Sequence, residues 1–159
     1  MSKVTLGKTG ITVEKNAFGC LPIQRVSKQE AVAMLRRAYE GGMRFFDTAR
    51  MYSDSEEKVG EAFAGMRDKV VIATKSHAKT GEELRAHLAQ SLANLQTDYI
   101  DLYQVHNPTE KDIATVIGPG GALEALQEAK AAGKIGHIGI TLHAEDLFKQ
   151  AVNFDWVET

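Results

Sequence analysis

Ala17-Phe18-Gly19-Cys20 reads as a short strand that runs into Leu21-Pro22-Ile23-Gln24-Arg25 before a helix opens near Ser27. A doubly wound dinucleotide-binding sheet wants G-x-G-x-x-G between its first strand and first helix, so that backbone can approach a pyrophosphate. Here a proline and bulky side chains follow a single glycine, and such a turn cannot cradle a pyrophosphate in that manner. The strand therefore opens a parallel barrel rather than a doubly wound sheet.

Outward from this stretch the pattern is consistent. Upstream, Lys3-Val4-Thr5-Leu6 and Ile11-Thr12-Val13-Glu14 alternate at period two about Gly7-Lys8-Thr9-Gly10, which predicts a hairpin. Downstream, Ser27 with Glu30 is a capping box opening a helix with Val32, Leu35 and Tyr39 at helical spacing. Gly41-Gly42 ends it, and Met43-Arg44-Phe45-Phe46 is a strand. Ser53 with Glu56 is a second capping box, for a helix through Val59 and Phe63. Lys69-Val70-Val71-Ile72-Ala73-Thr74 has the continuous apolar character of a strand buried on both faces. Thr80 with Glu83 is a third capping box, before a stripe of Leu84, Leu88, Leu92 and Leu95. Asp98 to Val105 is the longest strand, residues 107–120 read as a loop with Pro108 and Pro119, and a helix runs from about Ala122 to Ala132 with Gly133 as its stop. Ile135 to Ile140 is a fifth strand and Ala144 to Val152 a fifth helix. Repeated strand–helix alternation means βαβ units and a parallel sheet. Residues 1–159 are expected to form one α/β domain of the (β/α)8 TIM barrel class: a hairpin over 1–14, then about five βα units over 17–159. Five units are too few to close a barrel, which typically needs about 250 residues.

Composition excludes several classes. Apolar residues at 43% and charged residues at 25% are ordinary for a globular domain. A net charge of −2 argues against a nucleic-acid or anionic-membrane partner. No segment approaches the roughly 18 consecutive apolar residues that cross a bilayer. The single cysteine, Cys20, rules out an internal disulfide or a multi-cysteine metal cluster, so no metal site is expected and a reducing, cytoplasmic compartment is.

Barrel enzymes keep their chemistry at the carboxyl ends of the strands. The second strand ends in Asp47, the third in Lys75 and the fourth in His106, and Tyr52 lies five positions beyond Asp47. Strands spaced about 4.8 Å apart bring these side chains together. Asp47 is placed as counter-charge to Lys75. A tyrosine with a pKa of about 10 would need roughly 4 kcal/mol to reach neutrality. A cation about 4 Å away supplies that much at an effective dielectric near 20. Lys75 is thus a candidate to tune Tyr52, with Asp47 offsetting part of the effect, and His106 a candidate to orient a carbonyl oxygen. Such a set protonates an oxygen while hydride arrives from elsewhere. No side chain can deliver hydride, so a nicotinamide cofactor is implied.

These residues also carry a resemblance. Phe45-Phe46-Asp47-Thr48-Ala49, followed by Tyr52 and Ser55-Glu56, resembles the signature of the aldo-keto reductases. Ala73-Thr74-Lys75 is similar to that family's lysine motif, Asp98 through His106 to its histidine motif, and Lys134 through Ile140 to the segment ending its fifth strand. Leu6-Gly7-Lys8-Thr9-Gly10 is similar to the hairpin that plugs the bottom of its barrel. The resemblance covers essentially the whole chain. It implies NADPH or NADH as cofactor and a small aldehyde or ketone as substrate, with Tyr52 as general acid, Lys75 and Asp47 tuning it, and His106 orienting the carbonyl. After the fifth strand the family often has Ser-Asn, whose side chains hold the nicotinamide carboxamide; Thr141 keeps a hydroxyl, Leu142 offers no hydrogen bond. A hydroxyl residue followed two positions on by histidine, Thr141 and His143 here, resembles a branch in which some members carry a carboxy-terminal iron–sulfur region, and makes these two the candidate cofactor contacts.

Set against that family the chain stops near the start of the sixth strand. An open parallel sheet exposes strand edges, which predicts self-association or completion by the other half of the barrel. Three further readings stand beside the active reductase: an inactive truncated fragment of it, a nucleotide-binding sensor or regulatory subunit without turnover, and an aldolase using Lys75 as a Schiff base, against which Asp47, Tyr52 and His106 in family order argue. Elsewhere the plainer readings hold. His77 and His87 are read as surface or helix-face residues, His137 as structural, Cys20 as barrel interior, and Glu56-Glu57-Lys58 as a solvated helix start.

Overall fold

The structure, a computed structural model, describes residues 2–159. The hairpin is present: β1 (Lys3–Thr5) and β2 (Thr12–Glu14) pair antiparallel, with Val4 opposite Val13. Its turn requires glycine at Gly7, which has φ 47° and whose missing Cβ would run into the Glu158 carbonyl. That carbonyl accepts instead from the Lys8 N–H at 2.7 Å, tying the hairpin to the end of the chain.

Five parallel strands follow in sequence order: β3 (Phe18–Gly19), β4 (Phe45–Asp47), β5 (Val71–Ser76), β6 (Ile100–His106) and β7 (Ile135–Thr141). Each is joined to the next by a helical crossover, as a parallel sheet demands. Register fixes which residues share a face. Asp47 stands opposite Ala73, Ala73 opposite Leu102, and Leu102 opposite His137; one pleat up, Lys75 pairs with Gln104 and Gln104 with Gly139; above that, His106 pairs with Thr141. Because side chains alternate along a strand, all of these lie on one face. Phe45, Asp47, Leu102, Gln104 and Thr141 line a cavity of about 350 Å³ on that side. The other parity (Phe46, Ile72, Tyr103, Val105 and Ile138) is buried against Leu35, Val59, Phe63, Leu84, Leu88 and Leu126 of the helices. Beyond β7 the chain returns: Glu158 N–H donates to Ile138 O and Ile140 N–H to Thr159 O, each at 3.0 Å.

Two capping boxes form as expected. Ser27 opens α1 (Lys28–Glu40) and Thr80 opens α3 (Gly81–Asn94), each with reciprocal bonds to the glutamate three residues on. Each cap contributes about 1 kcal/mol to its helix. The leucine stripe of α3 packs inward, with Leu84, Leu88 and Leu95 buried.

Three expectations need correction. Residues 107–120 are not a loop: they contain α4 (Glu110–Ile117), opened by a capping box between Thr109 and Asp112. Aspartate takes the place of the usual glutamate there, and Ile113 and Val116 supply a short buried face. The Ser53–Glu56 capping box does not exist. Helix α2 (Ser55–Phe63) is preceded by Asp54 without a side-chain cap, and Ser53 has φ 40°. Nor is Glu56-Glu57-Lys58 a solvated start: Glu56 and Lys58 are fully buried and only Glu57 faces solvent. The last elements, α5 (Ala122–Ala131) and α6 (Glu145–Ala151), lie where the periodicity puts them.

Candidate active site

The four candidate residues converge at the carboxyl end of the sheet. Asp47 closes β4, and the backbone keeps to β5 beyond it: Thr48 N–H donates to Ala73 O and Arg50 N–H to Lys75 O, each at 2.9 Å. This holds the loop carrying Tyr52 over the strand carrying Lys75. The Lys75 ammonium lies 2.5 Å from Asp47 Oδ2 and donates to Thr48 O at 2.8 Å. It stands 5.2 Å from the centre of the Tyr52 ring. Tyr52 and His106 meet edge to face, with centroids 5.9 Å apart. Gln104 Nε2 donates to the second oxygen of Asp47 at 3.3 Å.

His106 does not stand opposite Lys75, because Lys75 is in register with Gln104 and His106 is one pleat higher. The same register, carried one step past β5, puts His77 beside His106. The two imidazoles stack at 4.2 Å between centroids. His77 is exposed, as a surface residue should be, yet it forms the outer wall of His106. His87 is only partly exposed, and its Nδ1 lies 2.6 Å from Ser76 Oγ. His137 is bound to Glu158, Nδ1 to Oε2 at 2.7 Å, which fits a structural role.

Electrostatics divides the set. His106 is pushed down to about 4 by burial first, then by His77, Lys75 and His143, so its ring is neutral at ordinary pH. Its Nδ1 is buried without a hydrogen-bond partner. Tyr52 runs opposite to the expected direction. Burial, then the Asp47 charge and then Cys20, raise it above the usual phenol value. The Lys75 cation is spent on Asp47 at 2.5 Å, and its field at the more distant phenol is largely cancelled. Cys20 is buried beside these groups, and burial pushes its thiol up strongly.

Thr141 closes β7 in register with His106, and His143 follows two residues later. Asn107, in a left-handed conformation with φ 46°, donates its N–H to Thr141 O at 2.8 Å and lies 3.2 Å from Thr141 Oγ1. Its Oδ1 accepts from His143 N–H at 3.0 Å. Thr141 Oγ1 thus has a lone pair engaged and keeps its own O–H to give, as a carboxamide oxygen would require. His143 is solvent-exposed, and besides that backbone bond its ring helps to hold the His106 value down. Leu142 adds no donor. Among the described residues no group of three or more His, Cys, Asp or Glu is placed to hold a metal ion, and no helix is long and apolar enough to cross a membrane. Gln104 and Asn107 escaped the reading of the sequence, and His77 was read only as a surface residue. Gln104 was findable, because it shares its strand face with His106 two residues on.

Comparison with known proteins agrees with this fold. The Aldo/keto reductase family profile matches residues 6–156. An uncharacterised oxidoreductase of Bacillus subtilis is 31% identical over 96% of this chain and 52% of its own length. An aldo-keto reductase of Bacillus halodurans in its holo form superposes with a TM-score of 0.83 at 30% identity, covering 94% of this chain and 53% of that one. An aldo-keto reductase of Klebsiella pneumoniae in complex with NADPH superposes with a TM-score of 0.78 at 33% identity, covering 96% and 54%. The chain thus spans about half the length of the relatives it matches, and its five-stranded parallel sheet matches part of their barrel.

Proposed function

Because the chain belongs to the aldo/keto reductase family, we propose that it carries the proton-handling half of an NADPH-dependent carbonyl reductase acting on a small aldehyde or ketone. The observation that supports this most directly is the convergence of Asp47, Tyr52, Lys75 and His106 at one strand-end face, with Lys75 ion-paired and His106 neutral.

NADPH, when bound, supplies the hydride. Everything else falls to the chain. In its Nε2–H tautomer a neutral His106 donates that hydrogen to the substrate oxygen without giving up the proton. Tyr52, held above its usual pKa, is a protonated phenol at neutral pH, positioned to hand its proton to the oxygen as that oxygen becomes an alkoxide. The phenolate left behind faces the Lys75 ammonium, whose attraction grows as negative charge develops on the ring. Asp47 and Thr48 O keep Lys75 in place as a charged donor. The same bonds make Lys75 a poor Schiff-base nucleophile, which disfavours an aldolase. Thr141 Oγ and His143 are the candidate contacts for the carboxamide edge of the cofactor.

In the same reading, the open edge of β3 and the concave face lined by Phe45, Leu102 and Gln104 are covered, either by a second copy or by the other half of the barrel. A well-behaved 17.4 kDa monomer in light scattering would count against that.

The test is a calorimetric titration with NADPH, then NADPH oxidation with a generic aldehyde, using Tyr52→Phe as control. Turnover that disappears in Tyr52→Phe is the expected result. Turnover unaffected by Tyr52→Phe would overturn the assignment of Tyr52, and binding without turnover would mark a nucleotide-binding module instead.

A further inference from the structure

We infer that Glu56 is a positioning residue that sets the place of Tyr52 through Arg50; the inference rests on the reductase reading for its functional meaning. Glu56 is fully buried, on the second residue of α2. Its Oε1 accepts from Thr74 Oγ1 and Ser91 Oγ, both at 2.7 Å. Its Oε2 accepts from Asn94 Nδ2 at 3.2 Å and from Arg50 Nη1. Both oxygens act only as acceptors, the pattern of an ionised carboxylate.

Burying such a group is costly, and a well-packed apolar side chain often serves stability as well or better. What the carboxylate supplies is a choice of partners. Thr74 immediately precedes Lys75 on β5. Arg50 lies two residues before Tyr52, and its own N–H donates to Lys75 O. One buried charge therefore joins the loop that carries the phenol to the strand that carries the ammonium. The far side of the loop is fixed separately: Thr48 Oγ1 meets Ser55 Oγ at 2.9 Å, and Ser55 Oγ donates to Cys20 O at 2.9 Å. Between the two anchors, Tyr52 N–H donates to Ala49 O at 3.1 Å and Ser55 N–H to Tyr52 O at 2.8 Å. Ser53, at φ 40°, completes the turn. The Arg50 side depends on the Glu56 charge, whereas the charged contacts at the two ends of the loop, Lys75 to Thr48 O and Lys58 to Asp54, do not involve Glu56. Glu56 is bonded to neither Tyr52 nor Lys75, so it acts through placement.

Glu56→Gln is the test, because the amide keeps an oxygen for Thr74 and Ser91 but turns an NH₂ towards Arg50 and Asn94. Hydrogen–deuterium exchange is read first, and it does not depend on turnover. Exchange in peptides covering 48–54 should rise about tenfold, with peptides of β6 and α5 unchanged. With NADPH and a generic aldehyde, kcat should fall by on the order of 100-fold at little changed KM, the cost of misplacing a reacting group by about 1 Å. Arg50→Gln should reproduce both effects, and the double variant should be no worse than either single one. It also carries the test should Glu56→Gln fail to fold, since the Arg50 side chain is 22% exposed and outside the core. Unchanged exchange at 48–54, exchange raised throughout the chain, or losses that multiply in the double variant would each overturn the inference. A wild type that turns over no aldehyde would show that this chain alone does not complete a reductase, while the exchange data would still decide the link from Glu56 to the Tyr52 loop.

Discussion

The Lys75 ammonium reaches Asp47 Oδ2 at 2.5 Å across one pleat of the sheet, because Asp47 is in register with Ala73 and Lys75 stands two residues further along β5. The pair sits beneath Tyr52, whose ring centre is 5.2 Å from the ammonium. At the phenol the Lys75 cation does not offset the Asp47 charge. Burial then dominates and holds Tyr52 above its usual value, with Asp47 adding in the same direction.

Removing the Asp47 charge should therefore lower the Tyr52 pKa. Asp47→Asn keeps the shape, deletes a cause of the rise, and leaves the Lys75 cation uncompensated. Titration of Tyr52 by NMR, with ring-labelled tyrosine and Tyr52→Phe for assignment, should show a downward displacement relative to the wild type. An unchanged or higher value in Asp47→Asn would show that Asp47 does not act on the phenol electrostatically.

Helix α2 approaches α3 so closely that only glycine fits at position 60. A Cβ there would overlap the Asn94 carbonyl oxygen and stand 2.7 Å from the carbonyl carbon of Leu95. The neighbours are backbone and cannot swing aside. Gly60→Ala should cost about 1–3 kcal/mol, the usual range for overpacking. Gly19→Ala is the control, because nothing lies within 4 Å of its added Cβ. Urea midpoints that fall equally for both variants would remove the steric argument.

Much of this was legible in the sequence, and the failures have physical causes. Asp47, Lys75 and His106 could be placed because strand ends in a parallel sheet are neighbours, and apolar runs mark those ends. Thr80 and Glu83 form a capping box, whereas Ser53 and Glu56, with the same spacing, do not. The difference lies outside the local sequence. Glu56 is drawn inward by Thr74, Ser91 and Asn94, 18 to 38 residues away, and a long-range demand overrides a local motif. Helix α4 was hidden by its brevity and its flanking prolines, although Thr109 and Asp112 announced it. The His77–His106 stack depends on register, which a single sequence does not display. The direction of the Tyr52 shift depended on how completely Asp47 cancels Lys75, a matter of a few ångströms.

Lys58 is the cationic counterpart of Glu56 on the same helix. It is almost wholly buried, and its ammonium donates to Ile23 O at 3.1 Å, Val26 O at 2.8 Å and Asp54 Oδ1 at 2.8 Å. The first two are the carbonyls of the turn that follows β3, so Lys58 pins that turn against α2. Lys58→Met preserves length and apolar contact but leaves both carbonyls without this donor. Ile23 O keeps the Val26 N–H, so Val26 O carries most of the cost, and at roughly 1–3 kcal/mol for a buried group left unsatisfied a loss of that size is expected. Urea denaturation measures it, and a loss below about 0.5 kcal/mol, the size of an ordinary surface substitution, would mean that water replaces the ammonium freely.

His106 makes stability depend on pH, and the sign follows from its folded value of about 4 against an unfolded value of about 6.5. Between those values the unfolded chain binds the proton and the folded chain does not, so stability rises with pH across that window. The contribution is complete above about pH 6.5 and is lost as the pH falls towards 4. The bare shift would be worth about 3 kcal/mol, but the ring opens in part to solvent, so on the order of 1–2 kcal/mol is expected. His106→Phe fills the same space and cannot titrate. The stability difference between wild type and His106→Phe, taken from urea midpoints at pH 7 and 4.5, should therefore shift against the wild type at the lower pH. His77, Lys75 and His143 are the charged or titratable groups that hold the His106 value down, and His77 is itself lowered by burial. His77→Ala should consequently let His106 rise towards its ordinary value and narrow the window from below. A wild-type-to-variant difference that stays constant from pH 7 to 4.5 would mean that His106 takes up its proton as easily in the folded chain as in the unfolded one, and a neutral His106 at the carbonyl would go with it.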